Sequence, residues 1–426
     1  MNNNNKSFLP KIEPKESVLD NGIKLYCFED NTIPFIKLDM YFPFANTTNQ
    51  DVLFSALATQ KLITEGSELD SAKQIAEKID YYGAYIEKTL EKEASNISFY
   101  FLRKYYKHLL PIVKEIITQA VFPQSELDLY KAKLTKQWQI DHQKTDYLAR
   151  ETFNRLLYGA THPYGISGKK EDIEALERQD LIDFYSCFYT LNSQTCFIVA
   201  SGDIDNEITD ELNSLIGGDF KAKMKQRNIL PKSSSISTKL DFAGVESIVH
   251  LPTAKQASIR MGTITIGVNH PDYMKLNLLN SLFGGYFSSR LMQNIREDKG
   301  YTYGIGSYLF LNKDCSTFAI IGDIKQDCIE QTKQEIFKEM DTLSQTLIPQ
   351  DELQRVKSYT KGEILRGLDG GFDLSEKFVP LLRYGMKNDY YDRYIQQIDS
   401  ATAQDLQCVA QKYLQKEKML TVIATN

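Results

Sequence analysis

Apolar and polar residues alternate, group and break along this chain in a way that predicts two rounds of the same plan. Val18-Leu-Asp-Asn-Gly22-Ile-Lys-Leu-Tyr-Cys27 sets Asn-Gly between two apolar runs, which predicts a hairpin. Ile36, Leu38, Met40 and Phe42 alternate with Lys37, Asp39 and Tyr41, the period of a half-buried strand. Residues 50–64 form a mostly apolar helical stretch stopped near Gly66, and Ser71-Ala-Lys-Gln74 predicts a capping box opening a helix that ends before Gly83. Ile97, Phe99 and Phe101 mark a strand facing a core. Helical patterns follow to about 120 and over 125–145, 146–157 and 171–188, then a last strand at Thr195–Ala200.

The texture changes over 217–239. Gly217-Gly218 precedes Lys221, Lys223, Lys225 and Arg227, then Pro231 and Ser233-Ser-Ser235, with no apolar period. Such a breaker-rich run predicts an interdomain tether whose charge is solvated. Beyond it the plan returns. Phe122-Pro-Gln-Ser-Glu-Leu127 is echoed by Ile348-Pro-Gln-Asp-Glu-Leu353 (348 − 122 = 226). Gln179-Asp-Leu181 is echoed by Gln404-Asp-Leu406 (404 − 179 = 225), and Thr195–Ala200 by Met419–Ala424 (419 − 195 = 224). Three matches in one order at nearly one spacing indicate a duplicated unit of about 200 residues. In each unit strands come first, helices next and a strand last, which predicts an α+β fold with helices layered on the sheet.

Composition narrows the function classes. With 426 residues two domains are expected, and 42% hydrophobic with 25% charged residues is ordinary for a globular chain. A net charge of −6 argues against nucleic acid as the main partner. No run approaches the roughly 20 apolar residues of a membrane span. Met1-Asn-Asn-Asn-Asn-Lys leads to Pro10 and Pro14 without an apolar core, so no secretory signal and a cytoplasmic location are expected. The scattered Cys27, Cys187, Cys196, Cys315, Cys328 and Cys408 form no C-x-x-C pair and are expected to be buried free thiols.

The most distinctive stretch is Phe283-Gly-Gly-Tyr-Phe-Ser-Ser-Arg-Leu-Met-Gln-Asn-Ile-Arg-Glu-Asp-Lys-Gly-Tyr-Thr-Tyr303-Gly-Ile-Gly-Ser-Tyr308. Leu291 and Ile295 stand one helical turn apart, and Gly300 predicts the helix stop. Tyr301, Tyr303 and Ile305 then alternate as on a strand. Arg296, in the last helical turn, and Tyr303, early on the strand, are positioned to serve one cleft and together offer donors for a carbonyl or carboxylate. Ordinary structural roles fit the same two residues: an Arg complementing the helix dipole and a packed strand tyrosine.

The duplicated halves, the linker, the opening Asn-Gly turn and the Arg296–Tyr303 stretch together resemble the pitrilysin/insulinase family of zinc metallopeptidases. The likeness runs from about residue 16 and is greatest to compact bacterial members and mitochondrial processing peptidase subunits. It implies a flexible lead (1–16), an N-terminal peptidase-like domain (17–218), a linker (219–239) and a C-terminal domain (240–426) carrying the Arg/Tyr motif. These would be two homologous domains, each a mostly antiparallel sheet with helices on one side, facing one another as half-shells. The family's chemistry uses an inverted motif, His-x-x-Glu-His, on the first long helix. Anchored on Glu65-Gly66-Ser67, that motif aligns with Leu57-Ala-Thr-Gln60-Lys61, and the later Glu ligand falls near Lys136-Gln137. None of these residues keeps the family's role. No other register helps: the five histidines, His108, His142, His162, His250 and His270, are never closer than twenty positions (162 − 142, 270 − 250).

Other catalytic patterns fail too. Gly165-Ile-Ser-Gly168-Lys169-Lys170 ends like a phosphate loop, but Pro163 stands where its first glycine belongs. The resemblance therefore implies a non-catalytic, substrate-binding subunit of a two-chain zinc peptidase acting on peptides or unfolded polypeptides. It would have no catalytic or metal-binding residue of its own and no cofactor, with zinc only in the partner. Arg296 and Tyr303 would bind substrate. The partner would be a zinc-motif-bearing family member or a second copy. The alternative is a structural or binding homologue with no peptidase role, as in respiratory complexes.

Overall fold

The computed structural model describes residues 10–44, 50–191, 196–218 and 245–426. The linker expected over 219–239 lies outside the described residues. The first half runs β1 (Lys15–Val18), β2 (Lys24–Glu29), β3 (Phe35–Pro43), α1 (Gln50–Leu62), α2 (Ala72–Tyr81), β4 (Tyr85–Leu90) and β5 (Ala94–Leu102). It continues with α3 (Tyr106–Thr118), α4 (Gln124–Asp141), α5 (Thr145–Tyr158), α6 (Lys170–Ala175), α7 (Arg178–Phe188), β6 (Phe197–Gly202) and α8 (Asn206–Ile216). The second half runs β7 (Glu246–His250), β8 (Ala257–Thr265), α9 (Tyr273–Asn280), β9 (Thr302–Leu311) and β10 (Ser316–Ile324). Then come α10 (Ile329–Gln345), α11 (Gln350–Arg366), α12 (Gly370–Arg383), α13 (Tyr390–Ser400), α14 (Ala403–Tyr413) and β11 (Leu420–Thr425).

Local chemistry accounts for the boundaries. Gly22, at φ 85°, makes the turn between β1 and β2. The capping box at α2 forms as expected, with the Ser71 hydroxyl accepting from the Gln74 amide and the Gln74 side chain accepting from the Ser71 amide. The stretch expected to be one helix over 171–188 is two, α6 and α7, because Leu176 turns extended between them. The lead expected over 1–16 is anchored from Ile12 onward, a residue only 3% exposed in the apolar core.

From β2 onward the first sheet is repeated by the second, and β1 has no counterpart among the described residues. Their orders are β1-β2-β6-β3-β5-β4 and β7-β11-β8-β10-β9, each antiparallel except for one parallel pair, β2 with β6 and β7 with β11. Even the register is kept: Leu38 faces Ala200, and Arg260 faces Val422, 222 positions on (260 − 38; 422 − 200). Each sheet carries its own half's helices on one face. The other face is covered by one helix of the opposite half.

Helix α5 packs Ala149, Phe153 and Leu157 on Ala319, Leu420 and Val422 of the second sheet. Helix α12 returns the exchange, setting Phe378 against Tyr26 and Phe28 of the first sheet, with ring centroids 4.9 and 5.5 Å apart. The Asp30 carboxylate accepts from the Gly371 amide at the start of α12. Hydrogen bonds from Thr32 first and Gly371 second hold that carboxyl below its ordinary range. The exchange corrects one expectation: β3 is buried on both faces, because its polar side, Lys37 and Asp39, lies under α12. Lys37 reaches Glu376 of α12 at 3.0 Å and Asp39 at 3.5 Å, so the buried charges are paired. The two halves face each other across a cleft of about 360 Å³.

Candidate functional site

Helix α1 carries the positions where the sequence comparison would put a metal. It packs against α4 and β4, so the helices that should jointly present ligands do meet. Their side chains do not suit a zinc ion. Leu57 is half-buried hydrocarbon. Gln60 is 6% exposed, and its Nε2 has no hydrogen-bond partner. Lys61 projects into solvent at the helix end. On α4, Lys136 and Gln137 are exposed, and the Gln137 amide donates to Asp141 at 2.9 Å.

A further cation, missed in the sequence, closes this end of the helix. Lys88 on β4 donates to the Lys61 carbonyl at 2.7 Å and to the Thr64 hydroxyl at 2.6 Å. It helps cap the C-terminus of α1, where a positive charge is favoured. Its side chain is only 14% exposed, and Glu65 stands 4.0 Å away. Burial outweighs that attraction and pushes the amine down to about 8, with Lys61 repelling it further. Two ammonium groups, an amide and a leucine offer no thiolate, imidazole or carboxylate set for zinc. Among the described residues no cluster of three His, Cys, Asp or Glu could hold a metal. His108, His142, His162 and His270 instead lie against aromatic rings. Of the cysteines, Cys27, Cys196 and Cys315 are buried, Cys187 and Cys328 half-buried and Cys408 exposed, so the expectation of buried thiols holds for three of the six.

The Arg/Tyr stretch forms as a wound segment feeding an edge strand. Residues Met292–Asp298 make wide, π-type turns, in which the Lys299 amide bonds the Asn294 carbonyl. Gly300, at φ 63°, reverses the chain, and β9 begins at Thr302. Arg290 holds the segment down by a two-point bond to Glu352 at 2.8 and 2.9 Å. Gly284 lets the preceding turn lie directly on β9, since a Cβ there would stand 2.5 Å from the Ser307 nitrogen.

Arg296 lies in the last turn, one third exposed, donating to Glu297 at 2.7 Å and resting over the exposed Phe287 ring at 4.8 Å. Tyr303 is set by a β-bulge. Asp323 pairs with Gly304 and Ile324 with Thr302, which leaves Tyr303 unpaired between them. Thr302 locks the bulge: its hydroxyl bonds the Asp323 carbonyl and accepts from the Gly304 amide at 3.0 Å. A bulge at an edge strand re-aims a side chain, and Tyr303 is 90% exposed. Its hydroxyl has no protein partner among the described residues. Neither the bulge nor Phe287 beneath Arg296 was anticipated; Thr302 and Gly304 on either side of Tyr303 were the available signal. No bond joins Arg296 to Tyr303; both are presented outward from one end of the second sheet.

The peptidase M16 inactive domain family matches residues 175–359. An uncharacterized zinc protease of Bacillus subtilis, YmxG, is 23% identical over 370 residues, 86% of this chain and 87% of that protein. One from Mycobacterium leprae is 23% identical over 84% of this chain and 79% of its own length. A crystal structure of a peptidase M16 inactive domain from Pseudomonas fluorescens superposes with a TM-score of 0.85 at 21% identity, covering 97% of this chain and 98% of that one. A chain of complex III2 from Candida albicans has a TM-score of 0.75 at 15% identity, covering 96% and 95%.

Proposed function

Since the chain belongs to the M16 peptidase family but carries none of its His-x-x-Glu-His residues, we propose that it is the substrate-binding, non-catalytic subunit of a two-chain zinc peptidase. The zinc would sit in a family partner carrying the motif, and peptides or unfolded polypeptides would be held across the two chains. One contrast carries the reading. The metal positions on α1 hold a leucine, a buried amide and a solvent-facing lysine, while Tyr303 is aimed into solvent by a locked bulge on the strand that follows the Arg296 segment. An unspent phenol and an Arg held by a neighbouring surface carboxylate and an exposed ring can both turn to a ligand at little cost. Holding a peptide against another chain's metal contributes orientation, which does not require a metal here.

The full-length likeness to a chain of a fungal complex III2 keeps a purely structural role as the second reading. One experiment separates them. The chain is co-expressed with a zinc-bearing family member, the complex is isolated, and peptide cleavage is measured. Arg296→Ala should lower activity by the ~1.5–3 kcal/mol of a bond to a charged group, about tenfold or more. Tyr303→Phe, which keeps the ring, should also lower it, and the chain alone should bind no stoichiometric zinc. Full activity of both variants in an intact complex would leave a scaffold.

A further inference from the structure

The cleft between the halves is lined by more positive charge than its own residues neutralise. Its floor is the inner face of the second sheet, with Arg260 on β8 and Thr317 on β10. Arg150 and Phe153 of α5 form one wall, and the turn carrying Glu91, Lys92 and Glu93 forms the rim with Arg383. Against four cations the lining sets two carboxylates: Glu91 is spent on Arg383, while Glu93 keeps its charge and attracts Lys92. Arg383 donates to Glu91 at 2.5 Å, and the Tyr164 hydroxyl donates to Glu93. That leaves Lys92, Arg150 and Arg260 without an ion pair among the described residues.

Arg260 is the central one. Its Nε is buried with no hydrogen-bond partner. Asp146 and Asp323 attract it, yet neither closes to a salt bridge, and Ser258 already donates to Asp323. Burial first, then repulsion from Arg150, pushes the guanidinium below its ordinary range. Lys92 shows the same direction. The residue is exposed as a whole, but its amine rests over the Tyr164 and Tyr158 rings, at 4.6 and 5.4 Å, and burial pushes it down to about 8. A buried guanidinium nitrogen without a partner is costly, and Arg260 lines the cleft, so the site is arranged for an anion. Phe153, Phe310 and Leu311 supply an apolar part of the lining, beside the polar Asn154, Asn312 and Thr317. A volume of about 360 Å³ is at the small end for ligand pockets and suits one or two residues.

We propose that this cleft seats the C-terminal carboxylate and last apolar side chain of a peptide, with Arg260 and Arg150 holding the carboxylate and Phe153 and Phe310 the side chain. This rests on peptides being the ligand, as in the reading above, but its carboxylate seat, Arg260 and Arg150, does not include Arg296 or Tyr303, and it needs no partner. The test is calorimetric titration of the purified chain with N-acetyl-Leu-Phe, its C-terminal amide and inorganic phosphate. The free acid should bind, and the amide should bind about tenfold or more weakly, the loss of one charge-assisted bond. Arg260→Met, which keeps the stem's volume, should lose the same factor while melting like wild type. Arg150→Ala, on the exposed side of α5, should weaken binding with no folding cost, and Arg296→Ala should leave it unchanged. Equal binding of acid and amide, tighter binding of phosphate than of the acid, or an unaffected Arg260→Met would overturn the assignment. Loss of binding in Arg296→Ala alone would move the carboxylate to the other site.

Discussion

Replacing Lys88 by methionine tests whether the C-terminal end of α1 is a site of buried positive charge. The variant keeps the aliphatic stem and removes the proton. In the fold, burial pushes the amine down to about 8 from its ordinary 10.5, a difference of about 3 kcal/mol between charged and neutral forms. Below pH 8 both folded and unfolded chains hold the proton, and the fold carries that whole cost. As pH rises from 8 to 10.5 the fold releases its proton first, so wild-type stability increases through this window, and above it the gain is complete. Lys88→Met has no such gain. The bonds to the Lys61 carbonyl and Thr64 hydroxyl are missing from the variant at every pH and largely cancel in the trend. Wild type should therefore gain about 2 kcal/mol on the variant between about pH 7.5 and about pH 10. Urea unfolding can follow this through Trp138, the one tryptophan. It lies in the same half, with its ring on His142 and its Nε1 donating to the Gly168 carbonyl. A wild-type-to-variant difference that stays constant over this range would refute the claim that burial dominates Lys88.

Two further substitutions probe the architecture behind the sites. Gly284→Ala drives a Cβ to 2.5 Å from the Ser307 nitrogen, a backbone obstacle, and should cost about 1–3 kcal/mol; an unchanged melting temperature would contradict the close seating on β9 of the turn that precedes the Arg296 segment. Phe153→Ala empties a position 1% exposed between α5 and the second sheet and should cost about 3–5 kcal/mol. Hydrogen exchange should then quicken in β8 and β11 of the other half, and a change confined to the first half would argue against the exchanged-helix interface.

What the sequence determined by itself was whatever short-range chemistry and internal repetition control. The duplication was legible because its echoes kept order and spacing, and the two sheets share one register for that reason. The Asn-Gly turn, the Ser71–Gln74 capping box and the stop at Gly300 were legible because backbone sterics and local hydrogen bonds decide them. The unsuitability of α1 for zinc was legible from residue types alone. Tertiary structure decided the rest. An alternating strand predicts one wet face, and only the arrival of α12 from 330 or more positions away buries Lys37 and Asp39. Lys88 shares the more buried face of the edge strand β4 with Ile86 and Leu90, and only the packing of β4 on α1 brings its amine to the end of that helix. A bulge is a disagreement between two strands, so the exposure of Tyr303 depends on pairing with β10. The unpaired charge at Arg260 likewise exists only because a helix of one half lies beside a sheet of the other.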